Sequence, residues 1–339
     1  MVSSRSSWLR RFTNSFCHPA ARVRRGRQSV PVEALEDRKY LSANVMLLDQ
    51  GHTLRIVGDS GDNHIVVQQT AQGVQVTADA QPTLRFTGID LIVIETGDGN
   101  DNVTVISGFN PQPDPPGAPL SSFELKVQLG TGRDQFLADI LYPPDPCLIA
   151  VDSGVGDDLV TLNAQLDNNS GGLNFTSELG EGNDRFNGNV AWPSDPPTAE
   201  DFAEGAFPPD PCHIAVIGGG GADKINALIG LLSNAAPAGD IHAELSLSLD
   251  GGDGNDAVTS TLRNLNLNGG ATIDLQGGTG NDIVKQVFDM VAVNAGLDLT
   301  ADGGRGDDFI GVTAGSATPA AAPSLFVNSP TRLTEAKCQ

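Results

Sequence analysis

The sequence predicts an all-β chain: a parallel β-solenoid (β-helix) of about nine coils, each built on a unit of about 26 residues. Three observations carry the expectation. A Gly-x-Gly-x-Asp phrase recurs, its period is nearly constant, and apolar residues alternate at fixed offsets on both sides of it.

The phrase, with one spacer and an apolar residue after it, is clearest at 252–258, 278–284 and 304–310. Other copies open at Gly97, Gly130, Gly154, Gly180, Gly219 and, in degenerate form, Asp59. Successive openings lie 38, 33, 24, 26, 39, 33, 26 and 26 residues apart, so the longer steps are a basic unit carrying insertions. Three and five residues before the opening stand pairs such as Leu125/Val127, Ile214/Val216 and Ile273/Leu275. Six residues after it the series runs Ile65, Val103, Phe136, Val160, Phe186, Ile225, Val258, Val284, Ile310. Alternation on both sides of a Gly-rich turn reads as strand, turn, strand. Two short strands are marginal alone, whereas stacked copies pair in parallel about 4.8 Å apart and bury one continuous apolar interior.

The insertions, at 110–120, 142–147, 192–212 and 233–240, all fall opposite the Gly-x-Gly-x-Asp edge. Loops gathered on a rigid scaffold are a natural binding surface. The domain plan is therefore a basic segment at 1–43, the solenoid at 44–315 and a flexible tail at 316–339.

The net charge is −22, and it is unevenly spread: residues 1–39 hold nine Lys/Arg against three Asp/Glu, leaving eleven against thirty-nine in the rest. A body at −28 repels nucleic acid and anionic lipid and attracts cations. Aromatic residues are 5% of the chain, too few for the stacking platforms that polysaccharide and single-stranded nucleic acid commonly use. No stretch is apolar enough to span a bilayer.

Cys147 and Cys212 each end the string Pro-Pro-Asp-Pro-Cys and lead into Ile-Ala-Val. If they sit at equivalent points they are two coils apart, roughly 9.6 Å, where a disulfide wants Cα atoms within about 7 Å. The expectation is two unpaired or loosely looped cysteines from a duplicated segment, and the sequence alone leaves their bonding open. Neither these nor Cys17 and Cys338 form a C-x-x-C metal pattern. The five histidines lack metal-ligand spacing, and no nucleophile elbow, P-loop or zincin motif occurs. Parallel β-helices include polysaccharide lyases, but the available bases, Arg185, Lys224, Arg263 and Lys285, are dispersed. The chain reads as a non-enzyme.

Residues 32–43, with Leu35-Glu36-x-Arg38-x-x-Leu41 followed by Ser-Ala, resemble the "LEPR-XLL" segment near the start of large surface or secreted proteins of planctomycete bacteria. Asp37 stands where the name-giving Pro would be, and Tyr40 where Leu is usual. The resemblance covers about a dozen residues and implies export to the cell surface or beyond.

The acidic position of the phrase is held by Asp101, Asp134, Asp158, Asp184, Asp223, Asp256, Asp282 and Asp308, with Asn63 in the first copy. Stacking brings these carboxylates close, and at about 5 Å in water each adjacent pair repels by roughly 0.8 kcal/mol. Four copies, 218–223, 251–256, 277–282 and 303–308, have the full Gly-Gly-x-Gly-x-Asp form. They resemble the haemolysin-type, or repeats-in-toxin, calcium-binding repeat, which implies Ca²⁺ between successive turns held by Asp side chains and turn carbonyls. The positions carried over are Asp223, Asp256, Asp282 and Asp308, with Asp101, Asp158 and Asp184 as further candidates. That family turns every nine residues, on both edges; here a turn recurs every 26 or so, on one edge. The alternative needs no metal: each Asp accepts N–H groups of its own turn, with carboxylates splayed into solvent.

The function expected from sequence is an exported, calcium-binding solenoid with a structural or adhesive role at the cell surface. The alternatives are a metal-independent scaffold that presents its insertion loops to a protein or glycan, and a lyase-like enzyme.

Overall fold

The computed structural model describes residues 43–70, 72–108, 123–141, 143, 146–166, 172–191, 211–230, 239–241, 244–315, 318–319, 324–328 and 337–338. Apart from a 3-10 turn at Asp49–Gly51, the regular structure among these residues is strand. The strands form two sheets, and each Gly-rich turn carries the chain from the first sheet to the second.

Strands preceding the turns stack in the first sheet: Leu91–Asp98, Phe123–Thr131, Cys147–Asp152, Leu173–Glu181 and Cys212–Gly221 follow one another as parallel neighbours. Strands following the turns do the same in the second, from Asn102–Gly108 through Gln135–Leu141, Leu159–Gln165 and Arg185–Ala191 to Lys224–Gly230. The register pairs like with like: Leu125 with Ile149, Ile149 with Phe175, Phe136 with Val160, Val160 with Phe186. This is the parallel β-solenoid that the repeat predicts. The alternating columns point inward and form one continuous apolar core, in which Ile92, Leu125, Phe175, Phe136 and Phe186 are almost wholly buried. Each such side chain contributes about 1.5–3 kcal/mol. Phe175 and Phe186 face each other across the two sheets with ring centroids 5.7 Å apart.

The beginning of the solenoid differs from the repeat. Ala43–Leu48 lies antiparallel on Thr53–Gly58, and His64–Thr70 continues into an antiparallel meander through Gly73–Ala78 and Leu84–Phe86. This meander accounts for the 38-residue first step, and the antiparallel strand covers a sheet edge that would otherwise offer open backbone groups.

The insertions fall between a second-sheet strand and the next first-sheet strand, and most of their residues lie outside the described ones, as does the 1–43 segment but for Ala43. Past residue 315, Ser324–Asn328 extends the first sheet by pairing with Asp298–Asp302, and Lys337–Cys338 pairs with Thr313–Ala314. Most of the segment read as a flexible tail, 316–339, lies outside the described residues; in its sequence Leu325 and Val327 repeat the apolar alternation without a Gly-x-Gly-x-Asp turn to mark it. Cys147, Leu173 and Cys212 occupy one inward column, so the thiols are two coils apart, both free, and pushed up to about 12 by burial.

Candidate functional site

The turn is built by its two glycines. Gly130 has φ +105° and Gly132 φ +142°, conformations that L side chains rarely adopt, and a Cβ on Gly132 would lie 1.5 Å from the Gly99 carbonyl oxygen of the neighbouring coil. The turns bond to one another as the strands do: Val155 N–H donates to the Gly130 carbonyl, and Gly132 N–H to the Val155 carbonyl, both at 2.8 Å.

The aspartates lie inside this edge. Asp101, Asp134, Asp158, Asp184, Asp223, Asp256, Asp282 and Asp308 form one column, each at most 5% exposed. Strand alternation is the reason. Asp134 stands two residues before Phe136, so both point into the solenoid. The carboxylates are thus not splayed into solvent, and the N–H each one accepts comes from the adjacent turn rather than its own. Oδ1 of Asp134 receives the Asp101 N–H, Oδ1 of Asp158 that of Asp134, and Oδ1 of Asp184 that of Asp158, all at 2.7 Å. The series continues through Asp223, Asp256, Asp282 and Asp308 at 2.7–3.0 Å. It begins at Asn63, whose N–H goes to Asp101 and whose own Oδ1 takes the N–H of Asp59.

Oδ1 is therefore committed in every Asp of the column. Oδ2 of all eight is buried with no hydrogen-bond partner. Burial pushes the carboxyls of Asp134, Asp158 and Asp256 up to about 6 and that of Asp184 up to about 7, against the lowering effect of the N–H each accepts. Asp101, Asp223 and Asp282 are raised by the same cause.

Three of the four full-form copies, those at Gly218, Gly251 and Gly277, add a second oxygen. Their first glycine points inward beside the carboxylate: a Cβ on Gly218 would lie 2.6 Å from Asp223 Oδ2 and 2.1 Å from the Gly251 carbonyl oxygen. At Gly251 the same point lies 2.7 Å from Asp256 Oδ2 and 2.4 Å from the Gly277 oxygen. At Gly277 it lies 2.8 Å from Asp282 Oδ2 and 2.5 Å from the Gly303 oxygen. A carboxylate oxygen and the carbonyl of the following coil thus converge, two acceptors that a proton or a cation satisfies. At the equivalent place in the turn opening at Gly97, Thr96 supplies a hydroxyl, which donates to the Leu129 carbonyl at 2.5 Å.

A second polar ladder runs along the outside, one residue before each Asp, in the opposite direction. Asn100 N–H donates to Asp62 Oδ1, Arg133 N–H to Asn100 Oδ1, Asn183 N–H to Asp157 Oδ1 and Asn281 N–H to Asn255 Oδ1, at 2.8–3.0 Å. Here the acceptor belongs to the preceding coil, whereas in the inner column it belongs to the following one. Arg133 lies on this exposed outer line. The hydrogen bonds from Asn183 hold the Asp157 carboxyl below its usual range, with a smaller contribution from Arg133.

Among the described residues no three His, Cys, Asp or Glu side chains gather into a cluster able to hold a metal by themselves. The dispersed bases lie on the outside of the second sheet: Arg185 beside Lys224 in register, Arg263 paired with Asp289 at 3.1 Å, and Lys285 over the Phe309 ring. No family model, curated protein or solved structure matches the chain.

Proposed function

We propose that this protein is an exported β-solenoid with a structural or adhesive role at the cell surface, and that its acidic column takes up calcium. The observation that carries the reading is the column of Oδ2 atoms, one per coil, each buried without a partner. A buried anionic oxygen is costly unless a positive species reaches it. Calcium is the cation whose preference for carboxylate and carbonyl oxygen matches this donor set. Asp223, Asp256 and Asp282, each with a glycine carbonyl of the next coil beside Oδ2, would hold it best; Asp308, Asp101, Asp158 and Asp184 offer the carboxylate oxygen. Calcium would supply charge neutralisation and a link between coils, coupling the fold to the calcium-rich exterior. The basic N-terminal segment and the planctomycete-like motif support export, and the acidic body supports an environment rich in cations.

A second reading, the metal-independent scaffold, is favoured by the Oδ1 bonds, which join each pair of coils without any ion. Calorimetric titration of the chelator-treated protein with Ca²⁺ separates the two. The calcium reading expects a saturable uptake that is lost in Asp223→Asn/Asp256→Asn/Asp282→Asn. Absence of uptake by the folded wild-type chain contradicts it.

A further inference from the structure

The outer face of the first sheet carries a trough of about 630 Å³ that the acidic column does not use. Its floor is one outward column in register, Lys126, Ala150, Thr176 and Ala215, small from Ala150 onward. One wall is the neighbouring outward column Asp152, Glu178 and Ile217; on the other side of the floor a separate, smaller hollow of about 170 Å³ is lined by Leu148 and Asn174. Because each column repeats once per coil, the trough runs along the solenoid axis, across the strands.

Its chemistry is that of a cationic, extended partner with apolar stems. Asp152 and Glu178 are exposed, one coil step of about 4.8 Å apart, and no ion pair engages either among the described residues. The cation in the trough, Lys126, is already paired with Glu124 at 2.6 Å. Leu148 and Ile217 are 37% and 47% exposed, an apolar surface suited to the methylene stems of Lys or Arg. No aromatic ring lines the trough, so the usual platform for a sugar ring is missing. From the small floor, the unpaired acidic wall and the apolar flanks, we infer that this trough binds an extended basic peptide segment of a partner protein, laid along the axis.

Calcium plays no part in this binding, which uses only the outer face of the first sheet. The test uses the full chain in calcium-containing buffer at 150 mM salt, where long-range attraction to an acidic body is largely screened. The probe is a labelled decapeptide of alternating Lys and Ala, read by fluorescence anisotropy. Ala150→Arg, which fills the floor, is compared with Thr161→Arg, which adds the same charge on the outer face of the second sheet. Unchanged thermal midpoints establish that both variants fold; should Ala150→Arg fail to fold, Asp152→Asn/Glu178→Gln takes its place. The expected result is at least a tenfold loss of affinity for the trough variant and less than a twofold change for Thr161→Arg. Equal effects of the two variants, or no binding to wild type, overturns the proposal. So does binding of neutral cellohexaose that Ala150→Arg abolishes while the peptide remains unbound.

Discussion

The backbone N–H of Asp184 donates to Oδ1 of Asp223 at 2.7 Å, across 39 residues of sequence and one step of the solenoid. The same bond joins Asp256 to Asp282 across 26 residues at 2.8 Å. A long insertion in one step therefore leaves the inner ladder intact, because it joins Ala191 to Cys212, strand ends away from the turn. The acidic residue at each turn is in the first place a clamp between coils, and Oδ2 is what remains for other chemistry.

The clamp predicts different outcomes for two substitutions of Asp256. In Asp256→Ala the buried N–H of Asp223 loses its acceptor, and unfolding in urea should show a loss of about 1–3 kcal/mol. In Asp256→Asn the Oδ1 acceptor remains and the side-chain amide faces the Gly277 carbonyl, so stability in chelator should stay within about 1 kcal/mol of wild type or exceed it. Asn63 already fills the equivalent position in the first turn.

The raised carboxyls predict an unusual pH dependence without metal. Burial lifts Asp134, Asp158 and Asp256 to about 6 and Asp184 to about 7, above the unfolded value of 3.8. The folded chain then holds protons that the unfolded chain releases. The stability they contribute is fully present below the unfolded value and is lost as pH rises through 6 to 7. In chelator the thermal midpoint should therefore be higher at pH 5 than at pH 7.5. Replacing these four residues with Asn should flatten that rise, which separates it from the general relief of charge repulsion.

The glycines predict a steep local contrast. Gly280→Ala meets φ +141° and the Gly254 carbonyl oxygen at 1.4 Å, and Gly277→Ala puts a methyl 2.5 Å from the Gly303 oxygen. Gly270→Ala meets nothing within 4 Å. Chemical denaturation should show severe destabilisation in the first, clear destabilisation in the second, and a change within about 0.5 kcal/mol in the third.

The buried thiols predict protection. Cys147 and Cys212 are almost wholly buried and held up to about 12, so they should resist alkylation in the native state and react once urea unfolds the chain. Peptide mapping after labelling checks this; rapid native labelling of either would contradict the packing.

The apolar columns at Leu125, Phe136 and their repeats are legible in the sequence because alternation and period agree. The inner placement of the aspartates is legible too, since Asp134 and Phe136 share a parity, but a charged residue in a Gly-rich turn reads first as a solvent-facing one. The direction of the two ladders is not legible, because it depends on how adjacent turns are staggered. The antiparallel strand Ala43–Leu48 also escapes the pattern, having no counterpart in the repeat. The first glycine of the full-form copies is visible as a motif, whereas its closeness to Asp223 Oδ2 appears only once the turns are stacked.

The most direct test of the proposed calcium-holding column is thermal unfolding of the full chain by circular dichroism at pH 7.5, in calcium and in excess chelator. Wild type and Asp223→Asn/Asp256→Asn/Asp282→Asn would be measured side by side. The account predicts a large calcium-dependent rise in the wild-type midpoint and little or none in the triple variant. A wild-type midpoint that is the same in calcium and in chelator would contradict it.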